Sequence, residues 1–148
     1  KQHGIDSIHL SSLRCPTIAS SVTQQLVEHA IEKRQCIVFS GGTGNPFVTT
    51  DTNAIVKALY IGADEVWKAT KVDGIYDSDP EKNPDSKFIK QISYHDAVTQ
   101  NLQFMDSTAI TLAYQHDITI RLFNLFKPNA LINAYENRDF GSTICRAK

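Results

Sequence analysis

No apolar run in this chain approaches the roughly 20 residues that cross a bilayer as a helix. The opening residues carry no secretory leader pattern. Charge of one sign is missing as well. Fifteen Lys and Arg stand against 16 Asp and Glu, a net charge of -1, so no broad basic surface for nucleic acid is expected. Cysteine is scarce: Cys15, Cys36 and Cys145 are odd in number and widely spaced. With no CxxC pair, zinc or redox work is not indicated, and no metal-ligating set stands out. The three read as reduced small hydrophobes of a cytoplasmic protein. Met105 is the one methionine and the chain opens Lys1-Gln2-His3, so no translation start is visible. Repeats and low-complexity tracts are absent. What remains is 148 residues, 41% hydrophobic and 21% charged, enough for one soluble domain with a real core.

Glycine is sparse too, and three of the seven fall in one stretch, Ser40-Gly41-Gly42-Thr43-Gly44-Asn45-Pro46-Phe47-Val48-Thr49-Thr50-Asp51-Thr52. An apolar run, Cys36 to Phe39, precedes it and reads as a buried strand. Ala54 to Leu59 follows and reads as a helix. Glycine lets the backbone approach a ligand closely. Asp51 and Thr52 are N-cap types, and a helix start favours an anion. The loop ends in Thr49-Thr50-Asp51, not the Gly-Lys-Ser/Thr of a Walker loop. Phe47 occupies the third glycine position of a dinucleotide fingerprint, so that motif fails as well. The uncharged groups Thr43, Asn45, Thr49 and Thr50 suit a nucleoside monophosphate, and an amide such as Asn45 both donates and accepts.

Along the rest of the chain, Lys1 to Pro16 shows no periodicity. Ile18, Val22, Leu26 and Ala30, joined by Val27 and Ile31, predict a helix from about Thr17 to near Arg34. His29 beside that stripe reads as a surface histidine. Gly62 is a C-cap candidate. Glu65 to Thr70 reads as a strand, with Lys68 near its end; a lysine there needs a partner or a task. Val72-Asp73-Gly74 is a turn, and Asp77 to Asp85 a long polar loop of the kind that binds or covers ligands. Its acids, Asp77, Asp79 and Glu81, lack the glycine and closing glutamate of a calcium loop. Lys87 to Ile92 predicts a short strand. Ser93 with Asp96 predicts a capped helix to about Asn101, and Asp106 with Ser107 starts another whose inner face is Ile110, Ala113 and Tyr114. His116 and Asp117 lack a nucleophile elbow, and His116 is expected at the helix C-terminus. Ile118 to Phe123 alternates as a strand with Thr119 and Arg121 outward. A short helix, Asn129 to Tyr135, and a closing strand, Gly141 to Cys145, complete the order. Alternating strands and helices predict an α/β fold, a three-layer αβα sandwich around a mostly parallel sheet. Both glycine-bearing loops then leave carboxyl ends of strands, where such folds bind ligands.

Four stretches in order resemble bacterial UMP kinases of the amino-acid kinase superfamily: Ser40 to Thr52, Lys68 to Pro80, Phe104-Met105-Asp106 and Ile120 to Asn124. The resemblance runs from about Glu32 to Ile144 and implies an amino-acid kinase-like fold. It implies transfer of the γ-phosphate of ATP to UMP, with Mg2+ carried by ATP. UMP would be bound by Thr43, Gly44, Asn45, Pro46, Phe47, Val48, Thr49 and Thr50, with Thr43 and Asn45 near the uracil and Thr50 near the phosphate. ATP would be bound by Thr70, Tyr76 and Asp79, with Tyr76 stacking on adenine. Lys68 would face the transferred phosphoryl group, and Asp51 and Asp106 would organise catalytic lysines and the metal neighbourhood. It further implies a homohexamer with GTP as activator and UTP as inhibitor. Trp67 stands where the family is usually aliphatic, and Asn53 where it is usually small. The family's N-terminal Lys-x-Ser-Gly loop and ribose-binding aspartate are not in this sequence. Residues 1–148 are therefore expected to be the C-terminal portion of a single such domain, inactive alone. The alternatives are a relative that makes acyl phosphates, a nucleotide-binding module without activity and, weakened by the failed fingerprint, a nicotinamide enzyme.

Overall fold

The computed structural model describes residues 4–102 and 104–147. The chain divides into two compact units, Lys1–Ala63 and Asp64–Lys148. The first holds β1 (Ser7–Ser11), β2 (Ser20–Ser21), α1 (Gln24–Glu32), β3 (Cys36–Ser40) and α2 (Thr50–Ile61). Its sheet has the order β2-β1-β3, all parallel.

Three expectations for this unit need correction. The segment before Pro16 is not featureless, because β1 pairs along its length with β3, from Ser7 opposite Cys36 to Ser11 opposite Ser40. Pairing, rather than any pattern of its own, makes it a strand. The first helix does not start near Thr17. Ser20 and Ser21 extend as β2 beside β1, and the Thr23 hydroxyl accepts from the Leu26 amide at 3.3 Å, so α1 begins at Gln24. Ile18 is left exposed. Nor is β3 buried: Val38 is half exposed and Cys36 exposed, since β3 pairs only with β1 among the described residues. Cys36 is thus no core hydrophobe; all three cysteines are free. His29 is exposed, as expected. Leu10, Val27, Ala30 and Ile55 form the buried centre of the unit.

The second unit holds β4 (Glu65–Thr70), β5 (Ile75–Tyr76), β6 (Phe88–Ile89), β7 (Gln91–Ser93), α3 (Tyr94–Thr99), α4 (Ser107–Gln115), β8 (Thr119–Asn124), α5 (Ala130–Glu136) and β9 (Ser142–Cys145). The sheet order is β4-β8-β9-β7; β4/β8 and β7/β9 are parallel and β8/β9 antiparallel. β5 and β6 form a separate antiparallel pair. Ser93 caps α3 as its spacing with Asp96 implied, accepting from the Asp96 amide at 3.0 Å and donating to its carboxylate at 2.6 Å. Asp106 caps α4 by accepting from the Ala109 amide at 3.0 Å. The core is built on Tyr94, Ala113, Ile120, Phe123 and Ile144.

Tyr114 is not on the inner face of α4. It is half exposed, beneath the Arg146 guanidinium at 5.4 Å and beside Tyr94 at 5.8 Å. His116 sits at the C-cap, where its backbone amide bonds to the Leu112 carbonyl. The larger correction is Arg121. Alternation along β8 placed it outward, yet it is 1% exposed. Its guanidinium donates to the carbonyls of Ala134 at 2.7 Å and Asn137 at 3.1 Å, and lies 5.1 Å from the centre of the Trp67 ring. Trp67 therefore contributes packing: its face covers Arg121, its edge meets Phe123 at 5.9 Å and its indole N–H donates to Glu65. Burial alone would raise the Glu65 carboxyl, but hydrogen bonds from Trp67 and Arg138 and the Arg138 charge hold it below its ordinary value.

Candidate active site

In the Asp64–Lys148 unit, a cavity of about 550 Å3 opens at the carboxyl end of β4. Lys68, Thr70, Tyr76 and Asp79 all line it, together with Phe104 and Leu122. β4 ends at Thr70, which places Lys68 and Thr70, two residues apart, on one face of the strand. The half-buried Lys68 does have a partner: its Nζ donates to the Phe104 carbonyl at 2.7 Å. Tyr76 is braced by Phe88, ring centres 5.4 Å apart in an edge-on contact. Asp79 is turned toward its own loop: its carboxylate accepts from the Glu81 amide at 3.0 Å and pairs with Lys82 at 3.3 Å. Those contacts, the Glu81 amide first, hold its carboxyl below the usual range. Asp106 does not line the cavity; it caps α4 two residues beyond Phe104.

Ser142, which the sequence did not single out, and Gly74 of the expected turn shape this cavity wall. Ser142, buried on β9, accepts from the Ile75 amide at 2.8 Å and donates to the Ile89 carbonyl at 2.6 Å, fastening β5 and β6 to the sheet. Gly74 passes so close to Ser142 and Phe88 that a Cβ there would overlap both. Asp73, one step earlier, accepts from Asn124 at 3.0 Å and Lys127 at 2.6 Å. These hydrogen bonds, Lys127 first, lower its carboxyl pKa and tie the loop after β4 to the loop after β8. The tie is present while Asp73 is ionised and is lost as pH falls below about 4 through the lowered folded-state value. Relative to Asp73→Asn, the wild type should lose roughly 0.5 kcal/mol of stability on that acid limb, a surface-pair magnitude. Parallel urea midpoints for the two proteins from neutral to acid pH would show that the tie contributes nothing.

The Lys1–Ala63 unit carries the other loop, at the carboxyl end of β3. Thr43, Asn45 and Val48 line a cavity of about 350 Å3 there, with Ser12, Asn53 and Lys57. Thr43 is occupied within the loop: its hydroxyl donates to the Asn45 carbonyl at 2.7 Å and accepts from the Asn45 amide at 2.9 Å. Gly44 and Phe47 both adopt left-handed backbone, φ 70° and 65°, and the Phe47 side chain stands wholly in solvent. Pro46 is exposed too. The α2 cap is Thr49, not Asp51 or Thr52: its hydroxyl accepts from the Thr52 amide at 3.1 Å. Thr50 and Asp51 form the first turn, where an acid suits the positive helix end. Gly62, φ 66°, closes the helix as expected. Asn53 and Lys57 lie one turn apart on α2, and Lys57 was missed; the spacing Thr50, Asn53, Lys57 marks one helix face and could have found it.

The amino acid kinase family matches residues 1–124. The chain belongs to the amino acid kinase family. A uridylate kinase of Haemophilus influenzae (strain PittEE) is 48% identical over 115 residues, 78% of this chain and 48% of its own length. One of Methylococcus capsulatus is 38% identical over 135 residues, 91% of this chain and 56% of its own length. The crystal structure of UMP kinase from Ureaplasma parvum matches with a TM-score of 0.93 at 34% identity, covering 98% of this chain and 62% of that one. That of UMP kinase from Bacillus anthracis gives 0.91 at 28%, covering 97% and 59%. The chain spans about half the length of the curated relatives it matches. The α/β class expected from alternating strands and helices, and the amino acid kinase fold that the family resemblance implied, are thereby borne out.

Among the described residues of this amino acid kinase, no three His, Cys, Asp or Glu side chains gather as a metal cage.

Proposed function

We propose that this chain is the C-terminal portion of a single-domain UMP kinase, which transfers the γ-phosphate of ATP to UMP. The observation that carries the reading is the convergence of Lys68, Thr70, Tyr76 and Asp79 on one cavity at a strand's carboxyl end. These are the positions that the family resemblance assigns to the phosphoryl group and to ATP. Tyr76, braced by Phe88, offers a ring to adenine, and Thr70 a hydroxyl beside it. Asp79 would accept from the nucleoside only by sharing an oxygen already used by its loop. UMP belongs to the loop from Thr43 to Thr50, with its phosphate toward Thr50 at the α2 N-terminus.

The attacking oxygen of a nucleoside monophosphate is already ionised, so the chemistry needs alignment and charge neutralisation more than a base. Lys68 supplies a cation that the Phe104 carbonyl aims into the cavity. Mg2+, when bound with ATP, would offset charge on the phosphoryl oxygens, with Asp106 and Asp51 ordering lysines near it. The resemblance extends the proposal to a cytoplasmic homohexamer, activated by GTP and inhibited by UTP. Among the described residues no helix is long and apolar enough to cross a membrane.

The test is a panel with the full-length protein: MgATP with UMP, CMP, glutamate and aspartate. UDP and ADP should form in equal amounts with UMP. Phosphate transfer to a carboxylate would favour the acyl-phosphate relative. Binding of UMP with no transfer would favour the inactive module.

A further inference from the structure

Among the described residues, the cavity beside the proposed UMP loop is lined by one cation, Lys57, and no acid. The Lys57 ammonium is partly buried, 5.3 Å from the centre of the Phe39 ring and 5.5 Å from that of Tyr60. Burial lowers its pKa from the ordinary lysine value. Among the described residues no carboxylate pairs with it and no hydrogen bond occupies it. Aromatic faces favour the charged form, but they leave the N–H donors unfilled. Two further groups of the same cavity are unfilled. Ser12 Oγ is buried without a partner. Asn45 spends its Nδ2 on the Thr43 carbonyl at 3.3 Å, which leaves Oδ1 to accept. Asn53 Nδ2 donates to the Gly42 carbonyl at 3.0 Å, holding the glycine loop against α2 one turn before Lys57. Loop and lysine are thus carried by one helix.

An ammonium only donates, and an amide oxygen only accepts. A uracil edge presents acceptor, donor, acceptor at O4, N3–H and O2. A cytosine edge presents donor, acceptor, acceptor. Uracil can give O4 to Lys57 and N3–H to Asn45 Oδ1. Cytosine would set its amino group against an ammonium and its N3 lone pair against an oxygen. We propose that Lys57, with Asn45, determines uracil-over-cytosine preference at the acceptor site; this rests on the UMP kinase reading above.

The experiment measures kcat/KM for UMP and for CMP in the full-length protein as wild type, Lys57→Met, Lys57→Gln and Lys57→Arg. Lys57→Met should lower the UMP value about tenfold, mostly through KM, and leave CMP within about twofold. Lys57→Gln, whose amide can accept from the cytosine amino group, should narrow the ratio further by raising CMP. Lys57→Arg, still donor-only, should keep the wild-type preference. A general loss of stability would lower both substrates together, leave the ratio unchanged and overturn the proposal. An unchanged UMP-to-CMP ratio in both Lys57→Met and Lys57→Gln overturns it as well. A wild type that phosphorylates neither nucleotide is a different failure, that of the kinase reading itself.

Discussion

In the full-length protein, Lys68→Ala should cut turnover on the order of a hundredfold to a thousandfold while the KM for UMP stays within about twofold. Three features converge on this expectation. Lys68 stands near the end of β4, the strand that delivers Thr70 to the same cavity. Its Nζ is directed by the Phe104 carbonyl at 2.7 Å, so the charge arrives already oriented. The reaction proposed for the site moves negative charge among phosphoryl oxygens, and a fixed cation is worth most where that charge develops. UMP is assigned to the loop of the other unit, so its ground-state binding should change little. Initial rates at varied UMP with saturating MgATP, and a urea melt of the variant, separate the outcomes. Equal losses in turnover and UMP affinity, or full activity, would remove Lys68 from the chemistry.

Arg121→Met should lower unfolding stability by about 3 kcal/mol. Methionine keeps much of the aliphatic stem and its contact with Trp67. What disappears is the guanidinium that donates to Ala134 and Asn137, with longer contacts to Arg138 at 3.4 Å and Phe140 at 3.5 Å. Exchanging a buried ion pair for apolar groups is often harmless because both charges go. Here the partners are backbone carbonyls from the end of α5 to the loop before β9, which no substitution removes. They would be left unpaired beside Phe123, Ala130 and Ala134. Arg121 Nε is itself buried without a partner, which reduces the net gain from this arrangement. Urea unfolding of the two proteins measures the difference, and a change below about 1 kcal/mol would mean that water replaces the guanidinium without penalty.

Most of the element order was readable because its signals are local. Ser93 with Asp96 announced a capped helix, Gly62 a left-handed helix end, and Glu65 to Thr70 a strand, and each stands where it was expected. The candidate site was half readable. The residues proposed for ATP come from β4 and the segment just after it, and they line one cavity. The loop from Thr43 to Thr50 is more internally bonded than its residue types imply. Thr43 builds the loop with its hydroxyl, and Thr49, rather than Asp51 or Thr52, caps α2, because capping side chains one to three residues apart look alike until the chain has chosen its start.

The sequence alone determined the class of fold, the two glycine-bearing turns and the polar, largely uncharged character of the loop from Thr43 to Thr50. Those follow from residue type and spacing, which act over a few neighbours. Only the tertiary structure decided that Ser7–Ser11 is a strand, that Arg121 is buried and that Lys57 joins Asn45 at one cavity. Each depends on a partner far along the chain: Cys36–Ser40 for the strand, the carbonyls from Ala134 to Phe140 for the arginine, and the glycine loop held by Asn53 for the lysine. A buried charge or a strand without a pattern of its own is stable only when such a partner satisfies it, and sequence periodicity does not register partners at that distance.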